Sequence, residues 1–338
     1  MASARCQLTT SCFTTYEQSN FKGTSLLIRV YNALKIILQQ KSLPKSRESV
    51  VTMNNPESHN TFVPKQAIAP TPELYDELVI DCMEELAVAT ISHLAPLPSG
   101  AKIHDNGCGT GAATAAIMSS ISPSAKLSIN GTDINERAIE LYKQQAAEKN
   151  WPATAVPMDS TAVSYADEIY THSIGNALLF VLPNDGVDAV KEMYRTLKPG
   201  GVAAVNSWVY NPNLEPIEVA AQSTRPAGTP LPRQGVEKWS QADFLRSIVE
   251  KGGFEKQKIK MLQSDVFVEL GDLNRHATML WSFIGGTSSV GWLESDEENW
   301  DEAIDILKRE LGKSQGTRLL DGGKMQLRFV ANIAIATK

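Results

Sequence analysis

The glycine-rich segment at residues 105–111 constrains the fold of this chain more than any other segment. It reads DNGCGTG and lies between a short strand-like segment, 101–105, and a run of small residues, 112–121, that is typical of a helix. Glycine is favoured in such a loop because the chain must turn sharply and because a Cβ would keep a ligand away from the backbone. A strand, a glycine-rich turn and a helix in this order predict a site for a nucleotide-like cofactor.

The segments that follow alternate between strand-like and helix-like patterns. We predict strands at 126–132, 154–157, 168–172, 201–207, 254–262 and 325–337, and helices at 73–94, 136–149, 185–197 and 239–251. This alternation is typical of a doubly wound α/β fold, in which helices cover both faces of a parallel sheet.

Two long segments do not fit a minimal sheet of this kind. Residues 208–238 form a proline-rich connection, and residues 264–324 separate the last two predicted strands, where a hairpin needs only about 2–5 residues. Long insertions often form lids over binding sites, so we predict that both segments cap the ligand site. A helical addition that only extends the core is the alternative. His276, Trp281 and Trp292 are candidates for the lining of the acceptor side, although buried packing is the favoured role of the two tryptophans.

Composition limits the partners that this chain can have. The formal net charge of −6 argues against a nucleic-acid partner, because phosphate contacts require a basic surface. No apolar run reaches the roughly 18 residues that a membrane-spanning helix needs. The 4 cysteines lack metal-ligand spacing, so we predict no metal site and, by default, a cytoplasmic location.

Residues 1–60 differ in composition from the rest of the chain. They are rich in serine and threonine, and the charged residues of the first fifty are mostly basic. We interpret them as a disordered extension that precedes a domain spanning 61–338. A mitochondrial transit peptide is the alternative, since such peptides share this composition. A further alternative is that residues 1–52 are upstream sequence that is not normally translated, since Met53 begins a plausible protein of its own.

The acid that precedes the glycines indicates which cofactor the loop favours. Dinucleotide-binding loops follow the spacing G-x-G-x-x-G, whereas Gly107, Gly109 and Gly111 follow G-x-G-x-G, with Asp105 two residues before the first glycine. A carboxylate at that position would repel a pyrophosphate and attract a ligand that carries an ammonium and a sulfonium. The segment thus resembles the first motif of the class I S-adenosylmethionine-dependent methyltransferases. The resemblance covers about residues 70–262 and the final strand.

This resemblance implies a fold and a set of cofactor-binding residues. The fold would be a Rossmann-like sheet of seven mostly parallel strands with the last strand antiparallel, and S-adenosyl-L-methionine would be the cofactor. Asp133, at the end of the second strand, would accept the ribose hydroxyls, although it could instead cap the next helix. The other implied cofactor-binding residues are Asp105, Asn106, Gly107, Gly109, Gly111, Ile134, Met158, Asp159 and Ser173, with Met158 and Asp159 at the adenine.

The candidate catalytic group is His172, which we place at the end of the fourth predicted strand together with Ser173. Ligands in open α/β sheets bind outside the carboxyl ends of the strands, where an imidazole can accept a proton. Methyl transfer is an in-line displacement that positioning and exclusion of water can accelerate, so a base is optional.

The sequence favours a small-molecule acceptor, because the motifs of nucleic-acid, arginine and metal-dependent catechol methyltransferases are absent. The general pattern is similar to that of fungal natural-product methyltransferases. We therefore expect transfer of a methyl group to an oxygen, sulfur or nitrogen atom of a secondary metabolite. Two alternatives stay open: a protein of this fold that binds the cofactor without transferring methyl, and an NAD-dependent oxidoreductase. The sequence leaves the acceptor and the oligomeric state open.

Overall fold

One mixed sheet of eight strands forms the centre of the molecule. The computed structural model describes residues 62–79, 81–94, 96–122 and 125–338. The predicted extension at 1–60 lies outside these described residues. The strands are β1 Ala101–Asn106, β2 Leu127–Asp133, β3 Ala153–Pro157, β4 Tyr170–Gly175, β5 Leu197–Tyr210, β6 Ile259–Leu270, β7 Arg318–Leu319 and β8 Met325–Thr337.

The order of the strands is β3-β2-β1-β4-β5-β8-β6, and β7 pairs with β8. Strands β1 to β5 pair in parallel, whereas β8 runs antiparallel to both β5 and β6. The predicted seven-stranded α/β sheet with a reversed last strand is thus confirmed, and the short strand β7 is added to it. Two residues carry no periodic pattern, so the sequence does not reveal β7.

Eleven α-helices flank the sheet within the described residues. They are α1 Pro72–Val79, α2 Cys82–Ile91, α3 Ala112–Ser120, α4 Glu136–Glu148, α5 Val187–Thr196, α6 Leu214–Thr224, α7 Ala242–Lys251, α8 Leu273–Ser282, α9 Ile284–Thr287, α10 Glu294–Glu298 and α11 Trp300–Lys313. Alternate residues of β5 belong to different apolar clusters, with Ala203 and Val205 in one and Ala204 in the other. Both faces of the sheet are therefore covered. Within the described residues, no helix has the length and apolar character needed to cross a membrane.

Three predicted elements have different bounds in the structure. The helix predicted at 73–94 is divided into α1 and α2, because α1 packs on α8 whereas α2 packs on α3. The strand predicted at 168–172 begins only at Tyr170, since Glu168 has a φ of +56° that interrupts extended backbone. The strand predicted at 254–262 is β6, which runs from Ile259 to Leu270.

The two insertions contain regular structure and pack together. Helix α6 lies in the segment 208–238 despite its prolines, since Pro216 occupies the first turn, where proline is tolerated. Helix α6 packs against α11, which lies in the segment 264–324. We call the apolar cluster around them the cap core; it includes Ile217, Trp281, Ile304 and Leu307.

A buried ion pair connects the two insertions. The guanidinium of Arg225 donates to both carboxylate oxygens of Asp296 at 2.9 and 2.8 Å, and both side chains are 0% exposed. The same guanidinium donates to the hydroxyl of Ser288 and to the carbonyl of Gly291. Within the described residues, the hydrogen-bond partners of this guanidinium thus all come from the second insertion. These bonds hold the two segments in one arrangement.

Candidate functional site

The glycine loop after β1 is stabilised by backbone hydrogen bonds to the end of β2. The amide of Cys108 donates to the carbonyl of Thr132 at 2.9 Å. The amide of Gly109 donates to the carboxylate of Asp133 at 3.0 Å. All three glycines have positive φ, of +69°, +52° and +110° along the chain, which explains the choice of glycine at these positions.

The three glycines differ in what surrounds them. A Cβ at Gly107 would collide with Leu178, and one at Gly111 would press on Tyr142 and Trp151. By contrast, among the described residues beyond its two chain neighbours, none has an atom within 4 Å of the position of a Cβ at Gly109. Since Gly109 also lines a cavity of about 1160 Å³, a side chain there would occupy space that the fold leaves to a ligand.

Asp105 is buried beneath this loop and belongs to a short polar chain. Its carboxylate accepts a hydrogen bond from the hydroxyl of Thr114 at 2.7 Å, and that hydroxyl also bonds the hydroxyl of Tyr142 at 2.7 Å. Burial raises the pKa of Asp105 to about 6, although the Thr114 bonds oppose the shift and Asp133 adds to it. The carboxylate is therefore mostly ionised at pH 7 and responds to mild acid.

Asp133 ends β2 and faces the same cavity. One carboxylate oxygen accepts from the amide of Gly109, and the other accepts from the amide of Asn135 at 2.8 Å. Burial raises the pKa of this carboxyl, while the backbone hydrogen bonds oppose the shift. The side chain of Asn135 caps α4 by accepting from the amides of Arg137 and Ala138. The alternative role for Asp133, capping that helix, is thus filled by Asn135.

A single cavity of about 1160 Å³ extends from the glycine loop to the insertions. We call its two ends the loop half, lined by Asp105, residues 107–113 and residues 133–138, and the cap half, lined by Tyr75, Trp208, Arg233, Trp239, His276, Phe329 and their neighbours. The volume exceeds the range of about 300–1,000 Å³ that is usual for one drug-sized ligand. The cavity can therefore hold two ligands side by side.

One part of the cavity wall is held by a network of amide groups. Asn206 on β5 donates to the side chains of Thr90 and Asn176, and its carbonyl oxygen accepts from the amide of Ala177. Asn176 in turn donates to the carbonyl of Met83 on α2. Asn176 and Ala177 follow β4 and line the cavity. This part of the wall is thus fixed to β5 and α2.

His276 on α8 lies in the cap half, as the sequence predicts. Its Nε2 bonds the side-chain oxygen of Asn213 at 3.2 Å, and its buried Nδ1 has no partner within the described residues. Burial lowers the pKa of His276 to about 4, so the ring is neutral at pH 7. Trp281 and Trp292 do not line the cavity. Trp281 is buried in the cap core.

The structure does not bring His172 and Ser173 to the cavity. Strand β4 continues to Gly175, so both residues lie in its interior and the prediction that they end the strand is wrong. His172 bonds the hydroxyl of Thr171, and Ser173 is fully buried near His104. Neither residue lines the cavity. The geometric argument for His172 as a base therefore no longer holds.

Three further predicted residues lie near the cavity without lining it. Asn106 is buried, and its amide nitrogen has no partner within the described residues. The amide of Met158 donates to the carbonyl of Asp133 at 2.9 Å, which places Met158 beside the end of β2. Asp159 is exposed and accepts from the amide and hydroxyl of Thr161. The role of Met158 and Asp159 at an adenine stays a prediction.

Sequence reasoning missed most of the cap half. Arg233, Trp239 and Trp208 line the cavity, but they lie in or beside the proline-rich connection, where no periodic pattern indicates which side chains face inward. The place of Asn176 in the cavity could have been predicted from the sequence, because a polar residue directly after a strand lies where α/β folds bind ligands.

Part of the chain matches a known family. Residues 103–201 match the family model described as "Methyltransferase domain", a range that begins in β1 and ends in β5. It contains the glycine loop and Asp133, and it excludes both α1 and the second insertion.

Three fungal proteins are similar in sequence to this chain, over aligned segments of different length. Methyltransferase tpcH of Aspergillus fumigatus is 24% identical over 254 residues, which cover 71% of this chain and 86% of the relative. Methyltransferase ktnA of Aspergillus niger is 24% identical over 196 residues, covering 51% and 64% respectively. Methyltransferase ucsB of an Acremonium species is 34% identical over 100 residues, covering 29% and 33%.

These comparisons confirm the resemblance to class I methyltransferases that the glycine loop indicates. They also show that the chain is similar in sequence to fungal methyltransferases. They support methyl transfer as its activity.

Proposed function

We propose that this chain, which resembles the class I methyltransferases in its motifs and sheet topology, transfers a methyl group from S-adenosyl-L-methionine to an oxygen, sulfur or nitrogen atom of a small organic acceptor. The acceptor class that we propose is a secondary metabolite. The observation that carries the proposal is the continuous cavity, which joins a loop half suited to the cofactor to a cap half whose lining includes Tyr75, Trp208, Trp239 and Phe329. A transferase needs both sites within one enclosure so that the reacting atoms can meet.

The residues of the loop half fit S-adenosylmethionine in shape and in charge. The free space at Gly109 allows a ligand to approach the backbone closely. The carboxylates of Asp105 and Asp133 favour a ligand with cationic groups. In this proposal Asp133 accepts the ribose hydroxyls, Asp105 favours the amino acid end, and Ile134 lies beside the adenine.

The same features disfavour a dinucleotide. Two carboxylates, of the buried Asp105 and the half-buried Asp133, flank the turn at which a pyrophosphate would have to bind. A buried like charge near a phosphate is unfavourable because water screens it poorly. We therefore do not propose an NAD-dependent activity.

The cap half supports positioning as the main source of catalysis. Bound S-adenosylmethionine supplies a methyl group on a sulfonium, which is electrophilic without further activation. The aromatic walls of the cap half exclude water and orient an acceptor. His276 fits this positioning role, because its neutral ring is held by Asn213 and burial disfavours its protonation.

The raised pKa of Asp105 predicts a pH dependence of cofactor binding. Because a cationic ligand favours the ionised carboxylate, protonation near pH 6 competes with binding. We expect affinity for S-adenosylmethionine to be about tenfold lower at pH 5 than at pH 7, measured by calorimetric titration with circular dichroism as a check on folding. Asp105→Asn should bind more weakly at pH 7 and lose most of this dependence. Equal wild-type affinity at pH 5 and pH 7 would contradict the assignment.

The proposal as a whole is tested by a matched pair of glycine variants. Gly109→Val places a side chain in the loop half, whereas Gly100→Val carries a comparable positive φ strain, of +87° against +52°, at a position that does not line the cavity. We expect wild type and Gly100→Val to bind S-adenosylmethionine and not NADH, and Gly109→Val to bind neither. Equal binding of S-adenosylmethionine by both variants would show that the loop half is not the cofactor site.

Transfer itself is tested by product formation. Purified chain and S-adenosylmethionine are incubated with panels of phenols, thiols and amines, and mass spectrometry detects a mass gain of one methylene together with S-adenosylhomocysteine. The proposal expects product with wild type and none with Gly109→Val. Cofactor binding with no product from any panel would favour a regulator that binds the cofactor without transfer.

A further inference from the structure

Arg233 differs from the other cationic side chains in the chain's central cavity. The cavity is lined by two arginines, Arg137 and Arg233, and by no lysine among the described residues. Arg137 pairs with Glu140 at 2.9 Å. The guanidinium of Arg233, in contrast, has no carboxylate within 4.0 Å and no hydrogen-bond partner in the described part of the chain. Burial lowers its pKa from the ordinary value.

Acidic residues line the same cavity without neutralising Arg233. Glu218 and Glu237 are among the lining residues, but Tyr75, and no carboxylate of the described residues, acts electrostatically on Arg233. Burial, together with the charges of Glu237 and Glu215, raises the pKa of Glu218. A cation held apart from these carboxylates keeps its hydrogen-bond donors available to a ligand.

Arg225, the fully buried arginine of the same connection, shows what a structural role looks like, whereas Arg233 is half-buried at the cavity. Arg225 has its donors occupied by Asp296, Ser288 and Gly291. A buried charge is ordinarily compensated in this way, because an unpaired one is costly. The backbone of Arg233 is held by a bond from its amide to the carbonyl of Thr287 at 3.1 Å and has a φ of +59°. Such uncommon conformations cluster at ligand-binding positions.

The surroundings of Arg233 indicate the rest of the ligand. Tyr75 on α1 is close enough to act on it electrostatically. Tyr75, Trp208, Trp239 and Phe329 line the same cavity. An aromatic framework fits these walls, and a carboxylate matches the planar fork of a guanidinium with two parallel hydrogen bonds.

We propose that the methyl acceptor is an aromatic acid and that Arg233 binds its carboxylate. This inference rests on the proposed function and adds a substrate class to it. The methyl group goes to another atom of the acceptor, so Arg233 determines specificity and orientation and takes no part in the transfer.

The test compares a charged probe with its neutral isostere. Binding of 2-naphthoate and of 2-naphthamide to the full chain is measured by calorimetry in the presence of saturating S-adenosylhomocysteine, for wild type, Arg233→Gln and the control Arg246→Gln on α7. We expect wild type and Arg246→Gln to bind naphthoate at least about tenfold more tightly than naphthamide. Arg233→Gln should lose this preference and bind naphthamide as wild type does.

The possible outcomes separate the two proposals. Unchanged binding of S-adenosylhomocysteine by Arg233→Gln shows that the variant folds and that its loop half is intact. If wild type binds naphthoate no better than naphthamide, or binds neither, the assignment of Arg233 is overturned while the proposed methyl transfer stands. If wild type does not bind S-adenosylhomocysteine, the proposed function fails first.

Discussion

Asp133→Asn is expected to lower the affinity for S-adenosylmethionine by about 100-fold. Two backbone amides, of Gly109 and Asn135, already hold the carboxylate in place, and about two of its four lone-pair directions are left for the ribose hydroxyls. Each hydrogen bond to a charged group contributes about 1.5–3 kcal/mol, and a loss of about 3 kcal/mol corresponds to roughly 100-fold in affinity. Calorimetric titration with S-adenosylmethionine and S-adenosylhomocysteine measures the change.

The matched control is Glu148→Gln in α4. Glu148 is exposed, accepts a hydrogen bond from Gln144 and does not line the cavity, so its replacement should change the affinity by less than about twofold. Both variants should keep the melting temperature within a few degrees of wild type. Wild-type affinity in a folded Asp133→Asn variant would show that Asp133 does not contact the cofactor.

Arg225→Met is expected to lower the free energy of unfolding by about 3–5 kcal/mol, because it leaves the charge of Asp296 buried and uncompensated. Both side chains are 0% exposed, so solvent cannot replace the lost partner. One oxygen of Asp296 would still accept from the amide of Leu293, but the hydroxyl of Ser288 and the carbonyl of Gly291 would lose their donor. Urea denaturation followed by tryptophan fluorescence measures the loss.

Two further variants test whether the burial of the Arg225–Asp296 ion pair causes this loss of stability. Lys191→Gln breaks an exposed pair with Asp188, and its cost should stay below about 1 kcal/mol. The double variant Arg225→Met/Asp296→Leu removes both charges and should recover part of the stability, since no unpaired charge remains. A cost for Arg225→Met that is no greater than that of Lys191→Gln would contradict this account.

The loop half was predictable because local sequence determines it. Asp105 and the three glycines are close in sequence, so a strand, a turn and a helix suffice to bring them together. Asp133 ends the neighbouring strand, and parallel pairing of β1 with β2 aligns their carboxyl ends. These residues line the cavity as the pattern indicates.

The cap half was not predictable, because distant contacts determine it. The position of Arg233 depends on the bond of its amide to Thr287 in the other insertion, and no local pattern encodes such a contact. The error at His172 had a different cause. Strand β4 begins two residues later than predicted, because Glu168 adopts a positive φ, and it ends three residues later, at Gly175. The later end places His172 inside the strand.

The shared ion pair of the two insertions also constrains how such a protein can diverge. Arg225 comes from the first insertion, and its partners all come from the second. A descendant that acquired one insertion from another lineage would inherit a buried charge without its counterpart. The two segments are therefore expected to be inherited and exchanged as a unit, so that new acceptor preferences arise by joint replacement while the strands beneath them persist.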